Sequence, residues 1–417
     1  KSPGPIPISH RPEATPSSVI VKRAAPLPIM NVMRHISVPN PQVEHVLGLM
    51  REHSLLASGV RVFASEDDNS RLIPIDSGAA LVLPAELAEF PIVEHEGHPD
   101  ERIDSDWWSH LRNLLGDEIV ESGGEAWPSS HEFFADMMIV RLEEEVGGYS
   151  SEIATAKLLS HPHIRLVLSD AGVLGELRIR DLTPIGARID DEIVVESIPT
   201  EVASTRVLVR ESGRSILCDP TRAYFSTKLQ SERLETLAHA KELRSLLDRP
   251  LRVCDPFCGV GPALATLLGE PDLVGDLLAS DINPDAVEML LDNLRRWDHR
   301  EYPTEPAPIS RLYDDRITGL ADATKLQHDP EITGLWDLLL VNLPHRTIEF
   351  LPLLIPLLDR TGPTMVRGRV IVAESDIEEA NEAIRDALPP RLQGTPEPTL
   401  KIKRDYSSTL RLCSFEA

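Results

Sequence analysis

The C-terminal half of this 417-residue sequence predicts an α/β fold built on a mostly parallel sheet with helices on both faces. Three observations carry the prediction. Short apolar strand-like runs alternate with helix-like ones: "RVCDPF", "GPALATLL", "LLASDI", "PDAVEMLLDNLRRW", "GLADAT", "WDLLLVNLP", "GRVIVAES" and "TLRLCSF". A glycine pair, Gly259 and Gly261, sits where the first of these strands turns into the first helix. Acidic side chains close successive strands, at Asp255, Asp281 and Asp322. A chain of this length is too long for one ordinary core, and two small α/β modules are expected ahead of the sheet.

In chain order, residues 1–36 are rich in Pro, Ser and Ala, with Glu13 as their one acid, and are expected to form a flexible tail. A small N-terminal α/β module follows, at 37–105. In "SVPNPQVEHVLGLMREHSLLASG" an amphipathic helix places Val43, Val46, Leu47 and Met50 on one face, and "RVFASEDDNSRLIPID" reads as two strands around a polar turn. The middle α/β module, 106–200, holds a strand at Met137–Val140 and a helix in "SSEIATAKLLS" that Ser150 or Ser151 could cap. Its "GELRIRDLTPIG" reads as a strand ending in a Pro-Gly turn. Residues 201–417 form the third and largest domain, in which "DHREYPTEPAPISRLYDD" interrupts the alternation as a surface insertion.

The charge balance is acidic, 42 − 67 = −25, which by itself argues against a nucleic-acid partner. Charge is local, however. Nine Lys/Arg against six acids lie between Thr205 and Pro250, a strip that describes a mixed-charge helix face as well as an RNA contact. No apolar run is long enough to cross a bilayer, so no membrane association is expected. The four cysteines (Cys218, Cys254, Cys258, Cys413) form no CxxC pair, which speaks for a reducing, cytoplasmic setting and against a disulfide framework or a metal site. The sequence opens at Lys1 rather than methionine, so no targeting signal is read from its start.

The glycine loop decides the cofactor class. Gly259 and Gly261 let backbone N–H groups and a helix N-terminus approach a ligand closely. A dinucleotide fingerprint needs a third glycine where Leu264 stands, and a phosphate-binding GxxxxGK[ST] loop needs a lysine and a hydroxyl that are absent. A nicotinamide oxidoreductase is disfavoured on the same grounds. S-adenosylmethionine carries no phosphate. It needs an acid near its amino and sulfonium groups, another for its ribose, and a polar contact to adenine. Asp255, Asp281 (20 residues beyond Gly261, followed by Asn283 and Pro284) and Asp322 supply these in order, with Phe257 inside the loop. The set Asp255, Gly259/Gly261, Asp281, Asp322 and then "NLP" points to a class I, Rossmann-like methyltransferase domain with a mostly parallel seven-stranded sheet and S-adenosylmethionine as cofactor.

"LLLVNLPH" places Asn342 and Pro344 at the mouth of a strand. It resembles the Asn-Pro-Pro-aromatic loop of enzymes that methylate planar nitrogens, with Leu343 and His345 departing from it. "VLVRESGRSILCDPTRAYFSTKLQSERLETLAHA", "DPFCGVGP", "DINPDAVEMLLDNL" and "NLP" together resemble the tRNA (guanine-37 N1)-methyltransferase family. "PSSHEFFADMMIVRL", "HPHIRLVL" and "GELRIRDL" extend the resemblance, which covers roughly residues 38–417.

The resemblance implies roles. Glu232 matches the family's general base for guanine N1; Arg178 matches the residue that steadies charge on guanine O6. Asn342 would orient the base, and Pro344 would shape the pocket. Arg210, Tyr224, Lys228, Arg233 and His345 are the expected substrate-binding residues. Tyr224 and Phe225 could stack on a flipped base, but core packing is the stronger expectation for both. The partner implied is the anticodon region of a tRNA, held in part by the N-terminal modules, with the protein acting as a monomer. Cys258 and Ala263 depart from the family loop, His345 stands where lysine is common, and the insertion after Trp297 is long. Enzymes that transfer an aminocarboxypropyl group to a modified guanosine share much of the pattern and form the alternative; "NLP" favours methyl transfer.

Overall fold

The computed structural model describes residues 32–417, apart from 54, 58–59, 66–68, 77, 80–82 and 99–105. Residues 1–31 of the expected tail lie outside the described residues, whereas Val32–Ile36 belong to a strand. The elements run β1 (Val32–Pro39), α1 (Val43–Glu52), β2 (Phe63–Ala64), β3 (Ser70–Pro74), β4 (Ile92–Glu96), α2 (Trp107–Leu115), α3 (Asp117–Gly123), β5 (Glu132–Phe134), β6 (Met137–Val140), α4 (Ser150–Ser160), β7 (Leu166–Leu174), β8 (Ile179–Ile189) and β9 (Glu192–Val194). Then follow β10 (Val207–Glu211), β11 (Arg214–Cys218), α5 (Gln230–Arg244), β12 (Leu251–Asp255), α6 (Pro262–Leu268), β13 (Val274–Asp281), α7 (Pro284–Asp298), β14 (Ser310–Tyr313) and β15 (Arg316–Leu320). The last are β16 (Leu338–Val341), α8 (Thr347–Leu354), β17 (Met365–Ala373), α9 (Ile377–Ala387), β18 (Lys401–Asp405) and β19 (Leu410–Glu416).

These elements form two compact units. One takes the chain up to Trp127, with Glu143–Val167 and Ile185–Ile198; the other takes Pro128–Leu142, Leu168–Pro184 and Pro199–Ala417. In the first unit an antiparallel sheet ordered β2–β3–β1–β4 packs against α1. Val46 and Met50 are fully buried in that core, with Val43 and Leu47 against it, as the apolar spacing of the helix requires. Helix α2 is capped by Asp106, whose carboxylate accepts from the Ser109 N–H at 2.9 Å. Helix α4 has no side-chain cap: a 3-10 turn over Glu144–Tyr149 runs straight into it, so neither Ser150 nor Ser151 has an end to cap. The expected Pro-Gly turn at 184–186 is also absent, since β8 continues through it to Ile189.

The second unit is organised by a sheet of eight strands, one more than expected, ordered β14–β15–β13–β12–β16–β17–β19–β18. The five strands from β15 to β17 are mutually parallel. β19 pairs antiparallel to β17, and β18 to β19. The extra strand is β14, which comes from the predicted surface insertion and pairs antiparallel on the sheet edge, with Tyr302 of the same segment buried. Helices α8 and α9 cover one face through Phe350, Leu351, Leu354, Ala380 and Ile384. Helices α5 and α7 lie on the other. At the amino-terminal edge, buried Asp337 accepts from both Arg249 (2.6 and 2.8 Å) and Arg252 (2.7 Å), tying β12 to β16. No helix among the described residues is long and apolar enough to cross a membrane.

Strand β17 is packed to its limit. A Cβ on Gly368 would lie 2.4 Å from the ring of buried Phe415 on β19. Gly368→Ala is therefore expected to destabilise the protein by about 1–3 kcal/mol, the usual cost of overpacking. Trimming the ring with Phe415→Leu in the same chain should recover part of that loss. Denaturant midpoints of the two single variants and the double variant test this; purely additive losses would contradict it.

Candidate active site

The parallel order places the carboxyl ends of β15, β13, β12 and β16 side by side, and the predicted acids follow from it. Asp255 ends β12, Asp281 ends β13, Asp322 follows β15, and Asn342 follows β16. The sheet changes direction of winding between β12 and β16, where ligands of open α/β sheets bind.

The loop after β12 is shaped by backbone requirements. Gly261 has φ +85°, and a Cβ there would lie 2.8 Å from Leu290 Cδ1 and 3.1 Å from Trp297 Cζ3, both on α7. Gly259 has φ +55°, and its N–H donates to Asp281 Oδ2 at 2.8 Å. The Asn283 N–H donates to Asp281 Oδ1 at 2.9 Å, so backbone amides hold both oxygens of Asp281. Asp255 is buried at the loop mouth. Burial pushes its carboxyl up to about 7, with nearby Asp281 adding and the Phe257 N–H opposing. A buried acid so raised fits a ligand that brings a positive charge. Phe257 itself is partly buried and meets Phe350 edge-on, ring centroids 5.8 Å apart.

Two of the predicted cofactor residues have structural tasks. Asn283 caps α7, accepting from the Asp285 N–H at 3.0 Å, while its Nδ2 donates to the Arg222 carbonyl at 2.7 Å. Asp322 caps the 3-10 turn at Ala323–His328, and its hydrogen bonds from Thr324 hold its carboxyl below the usual range.

Glu232 lies in the first turn of α5 and is 6% exposed. Its Oε2 has no hydrogen-bond partner. Three cations surround the carboxylate instead: Arg367 Nη2 at 3.7 Å, Lys403 Nζ at 3.7 Å and Arg369 Nε at 4.0 Å. These charges compensate the burial of the carboxylate. Arg367 is itself fixed by Thr236 Oγ1 (3.0 Å), Glu416 Oε2 (2.8 Å) and Glu235 Oε2 (3.0 Å). Arg369 donates from Nη1 to Asn342 Oδ1 at 2.9 Å, which ties the surroundings of Glu232 to the loop after β16. The Pro344 carbonyl accepts from the Ile371 N–H at 2.8 Å and anchors that loop on β17.

Arg178 lies in the turn before β8, not in a strand, with φ +55°. Its guanidinium donates to His345 Nε2 and to the Tyr406 hydroxyl, each at 2.7 Å. Burial, and then the Arg178 charge, lower the His345 pKa. The ring is therefore neutral and accepts at Nε2, because an arginine can only donate.

The remaining expectations divide. Arg233 is not placed for substrate: it is buried, with Nη1 at 2.7 Å from both Glu211 oxygens and Nη2 on the Ser226 carbonyl at 2.8 Å. Phe225 is buried against Phe134, whereas Tyr224, also expected in the core, is 42% exposed. Arg210 and Lys228 are exposed. Sequence reasoning missed Arg367, Arg369, Lys403 and Tyr406. The signal for the first two was present in "MVRGRVIVA", where arginines two apart interrupt an apolar strand and must share one face. Among the described residues no His, Cys, Asp or Glu group could hold a metal ion.

No family model matches the sequence. In sequence it is similar to the tRNA (guanine(37)-N(1))-methyltransferase Trm5b of Pyrococcus abyssi, at 30% identity over 169 residues, 40% of this chain and 44% of that protein. It also resembles the tRNA (guanine(37)-N(1))-methyltransferase of Paramecium tetraurelia, at 29% over 159 residues, 37% of this chain and 34% of that one. The match thus spans less than half the length of these curated relatives. In fold it is similar to the crystal structure of Trm5b from Pyrococcus abyssi, with a TM-score of 0.58 and 21% identity over 92% of this chain and 98% of that one. The complex of aTrm5 and tRNALeu gives 0.55 and 18%, over 93% and 99%. The chain is thus similar in sequence, over two-fifths of its length, to tRNA (guanine(37)-N(1))-methyltransferases, and similar in fold, over nearly all of it, to the Trm5 structures.

Proposed function

We propose that the protein transfers a methyl group from S-adenosylmethionine to N1 of guanosine 37 in tRNA. The observation that carries this reading is the Glu232 carboxylate, buried among three cations with Oε2 unpartnered, in the same unit as the acid-ended strands. Guanine N1 holds a proton and becomes a nucleophile only when the proton leaves. Glu232 Oε2 accepts that proton. Arg178, whose donors are not exhausted by His345 and Tyr406, steadies the charge that develops on O6. Asn342 and Pro344 position the base, and the exposed Tyr224, Arg210 and Lys228 meet the flipped nucleotide and its neighbours.

Asp255, Asp281, Gly259 and Gly261 would hold the cofactor, which supplies an electrophilic methyl when bound. The curated sequence relatives are named as methyltransferases. The wyosine-pathway neighbour, the TYW2 of P. horikoshii, covers 74% of the chain against 92% for Trm5b, which favours methyl over aminocarboxypropyl transfer. Four buried free thiols accord with action in the cytoplasm.

Incubation with S-adenosylmethionine and an unmodified tRNA transcript bearing guanosine 37, then nuclease digestion and mass spectrometry, tests the reading. One methyl on N1 of that base is expected. A methyl at another position discards the substrate, and the larger adduct discards the reaction. Glu232→Gln should lower kcat by about 10²–10⁴-fold, the usual worth of a positioned base, with cofactor affinity kept within a few-fold. Full activity in that variant would remove Glu232 from the role.

Asp255 makes cofactor binding depend on pH. Its folded pKa of about 7 exceeds the unfolded value, so the ligand-free protein holds a proton there that must leave before the carboxylate can pair with a cation. Calorimetric affinity for S-adenosylmethionine is therefore expected to rise from about pH 5.5 to about pH 7.5 and then level off. The same ionisation costs the ligand-free fold stability as pH rises through about 7. Asp255→Asn should abolish the affinity slope, weaken binding, and raise thermal stability more at high pH than at low. An unchanged slope would show that another group titrates.

A further inference from the structure

Arg369 is one of the charges at this site that the reaction as proposed leaves without a task. It is a buried guanidinium on β17, between Glu232 on α5 and the loop after β16. Its contact with Asn342 carries information, because a guanidinium has only donors. The Asn342 atom 2.9 Å from Arg369 Nη1 must be the amide oxygen. The Nδ2 then points away from Arg369, and no described residue accepts from it. Both partners are firmly mounted. Pro344, two residues after Asn342, is hydrogen-bonded to Ile371, two residues after Arg369.

Without the arginine, the two orientations of the Asn342 amide are nearly equal in shape and opposite in chemistry. Guanine offers a carbonyl oxygen beside N1, whereas adenine offers an amine at the same place. We infer that Arg369 is a positioning residue that locks the Asn342 amide with its nitrogen toward the acceptor base, so that the site offers a donor and takes guanine rather than adenine. The inference rests on the proposed guanine N1 methylation.

The test is a double-mutant cycle on the G37 transcript, with thermal unfolding and cofactor affinity measured alongside. Arg369→Met should lower kcat/KM by about tenfold or more, and Arg369→Lys, which keeps a donor, should recover most of it. In an Asn342→Ala background the Met substitution should change kcat/KM by no more than about twofold. Losses that multiply, or a Met variant within about twofold of the parent, overturn the inference while the parent's activity still stands. Asn342→Asp decides the matter even if Arg369→Met fails to fold, since a carboxylate presents only acceptors. It should lose as much activity as Asn342→Ala, and retained activity overturns the inference. A parent protein that leaves guanosine 37 unmethylated removes the underlying reading, and this inference with it.

Discussion

One buried amide holds together the elements around the second unit's glycine loop. Asn293 of α7, fully buried, accepts from the Leu217 N–H at 2.7 Å and donates to the Leu217 and Val260 carbonyls, both at 2.9 Å. It thereby joins the β10–β11 hairpin, helix α7 and the glycine loop through groups that would cost about 1–3 kcal/mol each if left unpaired. Trp297, one turn further on, donates to the Ser215 carbonyl at 3.0 Å and closes against Gly261. The loop keeps its shape because a single helix face dictates it, which explains why Gly261 tolerates no side chain.

From that frame the site derives two carboxylates with opposed surroundings. Glu232 faces three cations and keeps an oxygen free. Asp255 sits deep at a strand end and is raised to about 7 by burial. Under the proposed function, these different environments would suit different tasks, a proton acceptor and a partner for a positive ligand. Arg369 stands beside Glu232: burial draws its guanidinium down to about 10, while Glu232 pulls the other way.

The sheet was legible because parallel strands buried on both faces read as short apolar runs, and the acids were legible because they close those runs. Strand β14 was not, since "SRLY" is short, half exposed and set in a Pro-rich segment. The tasks of Asn283 and Arg233 were invisible for a different reason. The sequence shows a polar residue near a loop, but not the Arg222 carbonyl or the Glu211 carboxylate that consumes it. Glu232 and Arg178 were identified through family resemblance, because a first-turn glutamate and an arginine beside a turn have many ordinary uses. The cation cluster around Glu232 escaped because Arg367, Arg369 and Lys403 lie more than a hundred residues downstream.

The alternation along β17 has a consequence for how the chain finds its pairing. Val366, Gly368 and Val370 face the apolar layer with Phe415, while Arg367 and Arg369 face α5. A one-residue slip would drive two guanidinium groups into hydrocarbon and present a bare glycine to Glu232. The misaligned sheet would be penalised before it could persist, so the two cations beside Glu232 also act as proofreaders of strand alignment. The same two arginines then bear on the surroundings of Glu232 and on the register of the sheet.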